Sequence, residues 1–138
     1  MKCSDTIYGR TRDEWEEIRD AAERFLISLA ETGGMTNYSS LNSAISEQTG
    51  YRPFDYRQES ERAAIGRLLG EISIKTNEQH GVMLSALVTH QGSNDEGAGF
   101  YKLAAELGKM PNKPTKDEKL VAFVRLTQEV HQQYARLR

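Results

Sequence analysis

The chain has 138 residues, of which 38% are apolar and 28% are charged, and this composition predicts a single domain over residues 1–138 with one modest core. The formal charge of −2 gives no overall basic field that would attract nucleic acid or a membrane. A single cysteine, Cys3, excludes an internal disulfide and a zinc site built from cysteines, and without a long apolar run or a signal peptide at residues 1–5 we expect a cytoplasmic protein.

A long first helix is predicted behind residues Thr11–Glu14. These residues have the form of a capping box, in which the threonine hydroxyl and the glutamate carboxylate bond free N–H groups at a helix start. The helix ends at Gly33–Gly34, because glycine readily adopts the left-handed conformation of a helix C-cap. One side of the helical wheel carries the apolar residues Trp15, Ile18, Ala22, Phe25, Leu26 and Leu29.

Two further helices are predicted in the middle of the chain. The first runs from about Ser39 to Thr49 and ends at Gly50, and the second covers roughly Glu59 to Thr76. Between them, Pro53 disfavours helix at the preceding residue, so we expect residues 51–56 to be extended or turned. The inward-facing residues of these two helices are Leu41, Ala44, Ile45, Ile65, Leu68, Leu69 and Ile72.

An apolar, partly β-branched segment then follows Gly81. Its eight residues, 82–89, have the length and the glycine boundary of a largely buried strand. The polar, glycine-rich residues 90–99 are predicted to form a protruding loop. A short helix closed by Gly108 comes next, entered either directly or from a short strand at 99–101. Its apolar positions are Phe100, Leu103, Ala104 and Leu107.

The chain closes with a linker and a second long helix. Residues 109–114 contain two prolines and are predicted to be the linker, and Thr115–Glu118 is a second capping box. We therefore divide the domain into a helical core with strand and loop (11–108), the linker (109–114) and a C-terminal helix (115–138). One apolar face of that helix is predicted to carry Leu120, Phe123, Val124, Val130 and Tyr134.

Three helices followed by a strand and a glycine-rich loop have the order of a winged-helix domain. We predict an α+β fold, mainly helical, with a winged-helix-like tri-helical core, a β-hairpin and the long C-terminal helix. Residues 81–88 followed by 97–104 also resemble uncharacterised bacterial winged-helix-like proteins, in which a Leu-Ser-Ala-Val strand precedes a Gly-Phe-Tyr turn. The resemblance covers about a sixth of the chain and implies no established activity.

Charge is uneven along the chain, and the basic residues gather near its end. Residues 109–138 carry seven basic and three acidic side chains, a net +4, whereas residues 1–32 carry five and eight, a net −3. Any contact with duplex DNA is therefore expected through a small set of cationic and amide side chains. The alternative is a solvated helix and linker beside an exposed loop. The predicted nucleic-acid-binding residues are Arg62, Gln91, Asn94, Lys102, Lys113, Lys116 and Lys119.

The outer face of the third helix leaves two interpretations open. Arg67, Glu71 and Lys75 have the i,i+4 spacing of helix ion pairs, which would neutralise a surface meant to read DNA. Gly66 and Gly70 on the same helix permit close approach by another backbone. Contact with a second helix or a dimer partner and insertion into a DNA groove are both compatible with this pattern.

Enzymatic chemistry has little support in the sequence. The histidines His80, His90 and His131 lack metal-ligand spacing, and His131 is expected to be a satisfied core or interface residue. Ser85 lacks the glycine-flanked elbow of a nucleophilic serine. We therefore predict no catalytic residue, no metal and no cofactor.

The sequence thus favours a small bacterial winged-helix-like protein with a DNA-binding or regulatory role. It is expected to act as a homodimer through its first or last helix, because long terminal helices with wide apolar faces exceed what one small core covers. The alternative function is a protein–protein interaction module that uses neither nucleic acid nor catalysis. No membrane partner is expected.

Overall fold

The computed structural model describes residues 6–89 and 98–135, and these are mainly helical. The helices are α1 Arg12–Glu31, α2 Tyr38–Thr49, α3 Glu59–His80, α4 Ala98–Glu106 and α5 Lys116–Tyr134, with a 3₁₀ helix at Leu84–Leu87. The strands are β1 Thr6–Ile7, β2 Arg10–Thr11, β3 Thr36–Asn37 and β4 Val88–Thr89. The mainly helical α+β class and the approximate positions of the five helices are confirmed.

Local capping sets the helix ends. Thr11 and Thr115 each form a complete capping box, with Glu14 and Glu118 returning the second hydrogen bond. At the other end, α3 continues past the predicted stop at Thr76 and terminates at Gly81, which has φ 73°. The helix extends past Thr76 because residues 77–80 contain no glycine, and Gly81 is the first residue that readily adopts the left-handed conformation of a C-cap.

Helix α1 lies at the centre of the domain and packs against α2, α3, α5 and the 3₁₀ helix. Its side chains Trp15, Ile18 and Leu26 are fully buried. Every other long helix and the 3₁₀ helix contribute to the same apolar cluster, with α4 adding Ala104. The main contributors besides α1 are Leu41, Ile45, Leu68, Ile72, Leu84, Leu87, Leu126 and Val130.

The strand predicted over residues 82–89 is wrong in conformation, although its burial was predicted correctly. Only Val88–Thr89 is extended, and it pairs in parallel with Thr36–Asn37. The preceding residues turn because α3 side chains take the backbone N–H groups that a strand would give to a neighbour. Ser85 N–H donates to Ser73 Oγ at 3.0 Å, and Leu84 N–H donates to Thr76 Oγ1 at 3.2 Å.

The predicted β-hairpin is likewise not formed by the described residues after β4. The partner of β4 is β3, far earlier in the chain, and the alternative strand at 99–101 is part of α4. Residues 90–97, most of the predicted loop, lie outside the described residues. Within the described ranges, the antiparallel hairpin is β1–β2, near the start of the chain.

A buried ionic cluster fastens that hairpin to the rest of the domain. Arg10 is only 2% exposed and Glu61 only 4%, with 3.8 Å between Arg10 Nη2 and Glu61 Oε1. Arg10 Nη1 donates to the carbonyl of Arg52, whose own guanidinium donates to Glu61 at 2.9 Å. The Arg10 guanidinium also lies 4.4 Å from the ring centroid of Phe54. Hairpin, α2–α3 connection and α3 therefore meet at one carboxylate.

Candidate functional site

The outward face of α5 carries three large apolar side chains. Leu120, Val121 and Val124 are 63%, 66% and 47% exposed, and their three- and four-residue spacing places them on one side of the helix. We call these three residues the α5 patch. The opposite side is the one that packs into the core, through Ala122, Leu126 and Val130.

The core covers only part of the apolar face predicted for this helix. Leu120 and Val124 of that face are exposed, Val130 is buried, and the other buried residues are Ala122 and Leu126. The reason is the run of five apolar residues from Leu120 to Val124. At about 100° per residue, such a run encircles the helix, so no single face can bury all of it. That excess was the sequence signal for an exposed patch.

Helix α4 extends this surface sideways. The rings of Phe100 and Phe123 meet edge-to-face with centroids 6.4 Å apart, and Lys119 Nζ lies 5.6 Å from the ring centroid of Tyr101. Helix α4 also places Leu103 against α3, where an added Cβ on Gly70 would meet Leu103 Cδ2 at 3.9 Å. At Gly70, α3 therefore contacts a second helix, whereas an added Cβ on Gly66 would meet nothing within 4 Å.

The surface of α4 and α5 is the positively charged part of the domain. Residues 98–135 carry six basic and four acidic side chains, a net +2, whereas residues 6–89 carry nine and thirteen, a net −4. Lys102, Lys113 and Lys116 are exposed, and the described part of the chain gives them no ion-pair partner. Among the described residues, these three lysines therefore present unneutralised charge beside the α5 patch.

Other cations near this surface are engaged in local structure. Lys109 Nζ donates to the carbonyl of Gly81 at 2.7 Å, and Arg125 donates to the carbonyl of Lys109. Arg125 also lies 3.9 Å from Glu129, one turn along α5. These bonds hold the linker between α4 and α5 against the end of α3.

Four of the seven predicted nucleic-acid-binding residues lie on this surface, namely Lys102, Lys113, Lys116 and Lys119. Arg62 lies on a different element, in the first turn of α3, and its Nη1 donates to the carbonyl of Tyr56 at 2.7 Å. Gln91 and Asn94 lie outside the described residues. Of the predicted nucleic-acid-binding residues, therefore, only the four lysines of the C-terminal part lie on a common surface.

The outer face of α3 is neutralised by its surroundings. Glu71 accepts hydrogen bonds from Trp15 Nε1, Arg19 and Arg67, at 2.9 to 3.0 Å. Partial burial alone would raise the pKa of Glu71, but these donors outweigh it and hold the pKa below its usual value. Lys75 is paired with Glu23 of α1 at 3.0 Å. Compensated cations of this kind are poorly suited to phosphate binding by α3.

Two residues considered for chemistry in the sequence, His131 and Ser85, are bonded in structural roles. His131 Nε2 lies 2.9 Å from the carbonyl oxygen of Gly34, which confirms it as a satisfied histidine. Ser85 is buried and its hydroxyl accepts from Ser73 Oγ at 2.6 Å. Over residues 6–89 and 98–135, no group of three metal-ligating side chains converges.

The chain matches no protein-family model, no curated protein and no solved structure. Within the ranges that the structure describes, no helix combines the length and the apolar character needed to cross a membrane. The α4–α5 surface is thus characterised by its own chemistry, which is an apolar patch bordered by lysines that have no ion-pair partner in the described part of the chain.

Proposed function

We propose that the chain is a protein-interaction domain that binds another polypeptide through the α5 patch, without nucleic acid or catalysis. The observation that carries this proposal is the exposure of Leu120, Val121 and Val124 on a helix whose opposite side already lies in the core. Burying a valine or leucine side chain is favourable by about 1.5–3 kcal/mol. Because these side chains are 47–66% exposed, a partner that covers all three removes about half to two-thirds of their apolar surface from water, which is worth a few kcal/mol in total.

Site-specific photo-crosslinking tests this proposal. Benzoylphenylalanine placed at Val121, in cells that make the chain naturally, is expected to yield a discrete adduct with a polypeptide. The matched control carries the same residue at Gln48, an exposed position on α2. A second substitution, Leu120→Asp, should remove the adduct at Val121. Equal adducts at both positions, or none at Val121, would contradict the proposal.

Binding of duplex DNA with a regulatory role is the second candidate function. It is favoured by the unpaired charges of Lys102, Lys113 and Lys116 on the net positive part of the chain. Phosphate contacts of this kind predict weak binding that falls steeply between about 50 and 200 mM salt. Replacing either Lys113 or Lys116 by alanine should lower the slope of log affinity against log salt concentration by roughly one unit. No retention on duplex DNA at the lower salt concentration would eliminate this candidate.

A further inference from the structure

We infer that the partner of the α5 patch is an acidic amphipathic helix of another protein. This inference rests on the proposed function and specifies the chemistry of its partner. It combines two features of one surface, namely apolar side chains at helical spacing and a border of unpaired positive charge.

The shape of the α5 patch favours a helical partner. Its three residues form a short apolar ridge, with Val121 and Val124 one turn apart and Leu120 beside them. A helix that repeats apolar residues every three or four positions presents a stripe of matching width. The half-buried rings of Phe100 and Phe123 continue the apolar surface on the α4 side.

The charges around the patch determine which side chains a partner helix can carry beside its apolar stripe. Lys116 lies one turn before Leu120 on the same side of α5, and Lys113 lies just before the helix begins. Lys102 is on α4, next to Tyr101, whose ring contacts Lys119. These lysines would attract carboxylates that flank an apolar stripe and repel lysines or arginines at the same positions.

Two carboxylates in the first turn of α5 do not reverse this preference. Glu118 is bonded to the backbone N–H of Thr115 within the capping box. Asp117 is exposed and lies one turn before Val121 on the same face, but three lysines without an ion-pair partner among the described residues surround this end of the helix. The net charge of residues 98–135 stays at +2 with both included.

A second copy of the chain offers less complementary chemistry. Antiparallel pairing of two α5 helices would place the lysine end of each near Gln128, Glu129 and Gln132 of the other, where the single carboxylate already lies 3.9 Å from Arg125. The acidic residues of α1 could supply the charge, but among the described residues α1 exposes no large apolar side chain. Neither α5 nor α1 of a second copy therefore combines the apolar and acidic groups that the α5 patch would attract.

A display library of amphipathic helices tests the inference on the full chain. Each peptide has about 16 residues, or roughly four turns, with a fixed leucine stripe and Glu, Lys or Gln at every flanking position. We expect selection to enrich peptides of net negative charge. Enrichment should disappear with Val121→Asp, whose folding is checked by thermal unfolding.

A charge-matched pair of variants separates local from overall electrostatics. Lys113→Gln combined with Lys116→Gln should weaken the binding of the selected peptides several-fold. Arg24→Gln combined with Arg57→Gln removes the same net charge from exposed positions on other elements, with Arg57 paired to Asp55 at 3.0 Å, and should leave affinity nearly unchanged. Equal weakening by both pairs would overturn the inference, because it would show no local charge selection.

Three further results would also overturn it. The first is enrichment of neutral or basic peptides. The second is enrichment on the wild-type chain no greater than on the Val121→Asp variant. The third is sedimentation of the chain alone as a dimer that Val121→Asp dissociates. A crosslinked adduct at Val121 together with neutral or basic selected peptides would reject the acidic partner alone. Absence of any adduct would reject the proposed function as well.

Discussion

At the scale of single residues, Glu61 makes long-range contacts that no local sequence pattern could predict. Its carboxylate is buried and accepts hydrogen bonds from Arg52 and from the backbone of Asp55, beside the buried cation of Arg10. In the sequence it is one acidic residue in the first turn of a helix, where solvent exposure is the ordinary expectation. Partners 9 and 51 positions away could not be found from periodicity.

Replacing this carboxylate should be costly. Glu61→Gln leaves the buried Arg10 without its counter-charge, and breaking a buried pair costs about 3–5 kcal/mol. We expect urea unfolding at pH 7 to show a loss of that order. Glu59→Gln, on the same turn but exposed, removes mainly a favourable helix-dipole contact and should cost less than about 1 kcal/mol. A loss at Glu61 no larger than that at Glu59 would disprove this role.

Glu71 predicts a dependence of stability on pH. Because the folded-state pKa of Glu71 is lowered from its ordinary 4.5, its contribution is fully present above that pH and is lost as the pH falls below it. The difference in urea midpoint between the wild type and Glu71→Gln should therefore shrink as the pH is lowered from 7 to below 4.5. The exposed variant Glu16→Gln provides the control. A difference that stays constant with pH would contradict this expectation.

At the scale of elements, the helices were predictable and the segment between α3 and β4 was not. Capping boxes at Thr11 and Thr115 and stop glycines such as Gly50 are local chemistry, so the sequence contains what fixes those ends. The 3₁₀ helix depends on Ser73 and Thr76, which lie on the preceding helix. An apolar run predicts burial, but its conformation here is decided by hydrogen bonds from another element.

Ser73→Ala tests that account. It leaves the N–H group of Ser85 and the hydroxyl of Ser85 buried without their partner, and an unsatisfied buried polar group costs about 1–3 kcal/mol. We expect a loss of this size in urea unfolding, together with faster amide exchange at Ser85. Ser43→Ala, at an exposed position on α2, should change stability by about 0.5 kcal/mol or less. Equal effects of the two substitutions would show that the bond to Ser73 does not hold the turn.

At the scale of the whole molecule, the distribution of charge was predictable and the interaction surface only partly so. The basic C-terminal part and four of its lysines followed from composition along the chain. The α5 patch did not, because five consecutive apolar residues leave open which of them a neighbouring element covers. Of the two helices predicted to mediate a dimer, only α5 exposes large apolar side chains in the described ranges, and the dimer itself stays a prediction.

Two substitutions on α5 should separate surface from core. Val121→Asp changes an exposed position, so thermal unfolding should be nearly unaffected while retention on a hydrophobic-interaction column falls. Leu126→Asp places a charge in a fully buried position and should prevent cooperative unfolding, because an unpaired buried charge is strongly unfavourable. Similar stability losses in both variants would mean that Val121 belongs to the core.

The parallel pairing of β3 with β4 also bears on the order in which the chain folds. Thr89 Oγ1 donates to the carbonyl of Thr36 across 53 positions, so this short ladder closes a loop that contains α2 and α3. Closing such a loop costs entropy before any distant contact compensates for it. Helix α5 packs on the 3₁₀ helix inside that loop and on Gly34 just before it. The surface on which α5 docks is thus complete only after the loop has closed, and a chain with that loop open leaves the buried side of α5 exposed together with the α5 patch.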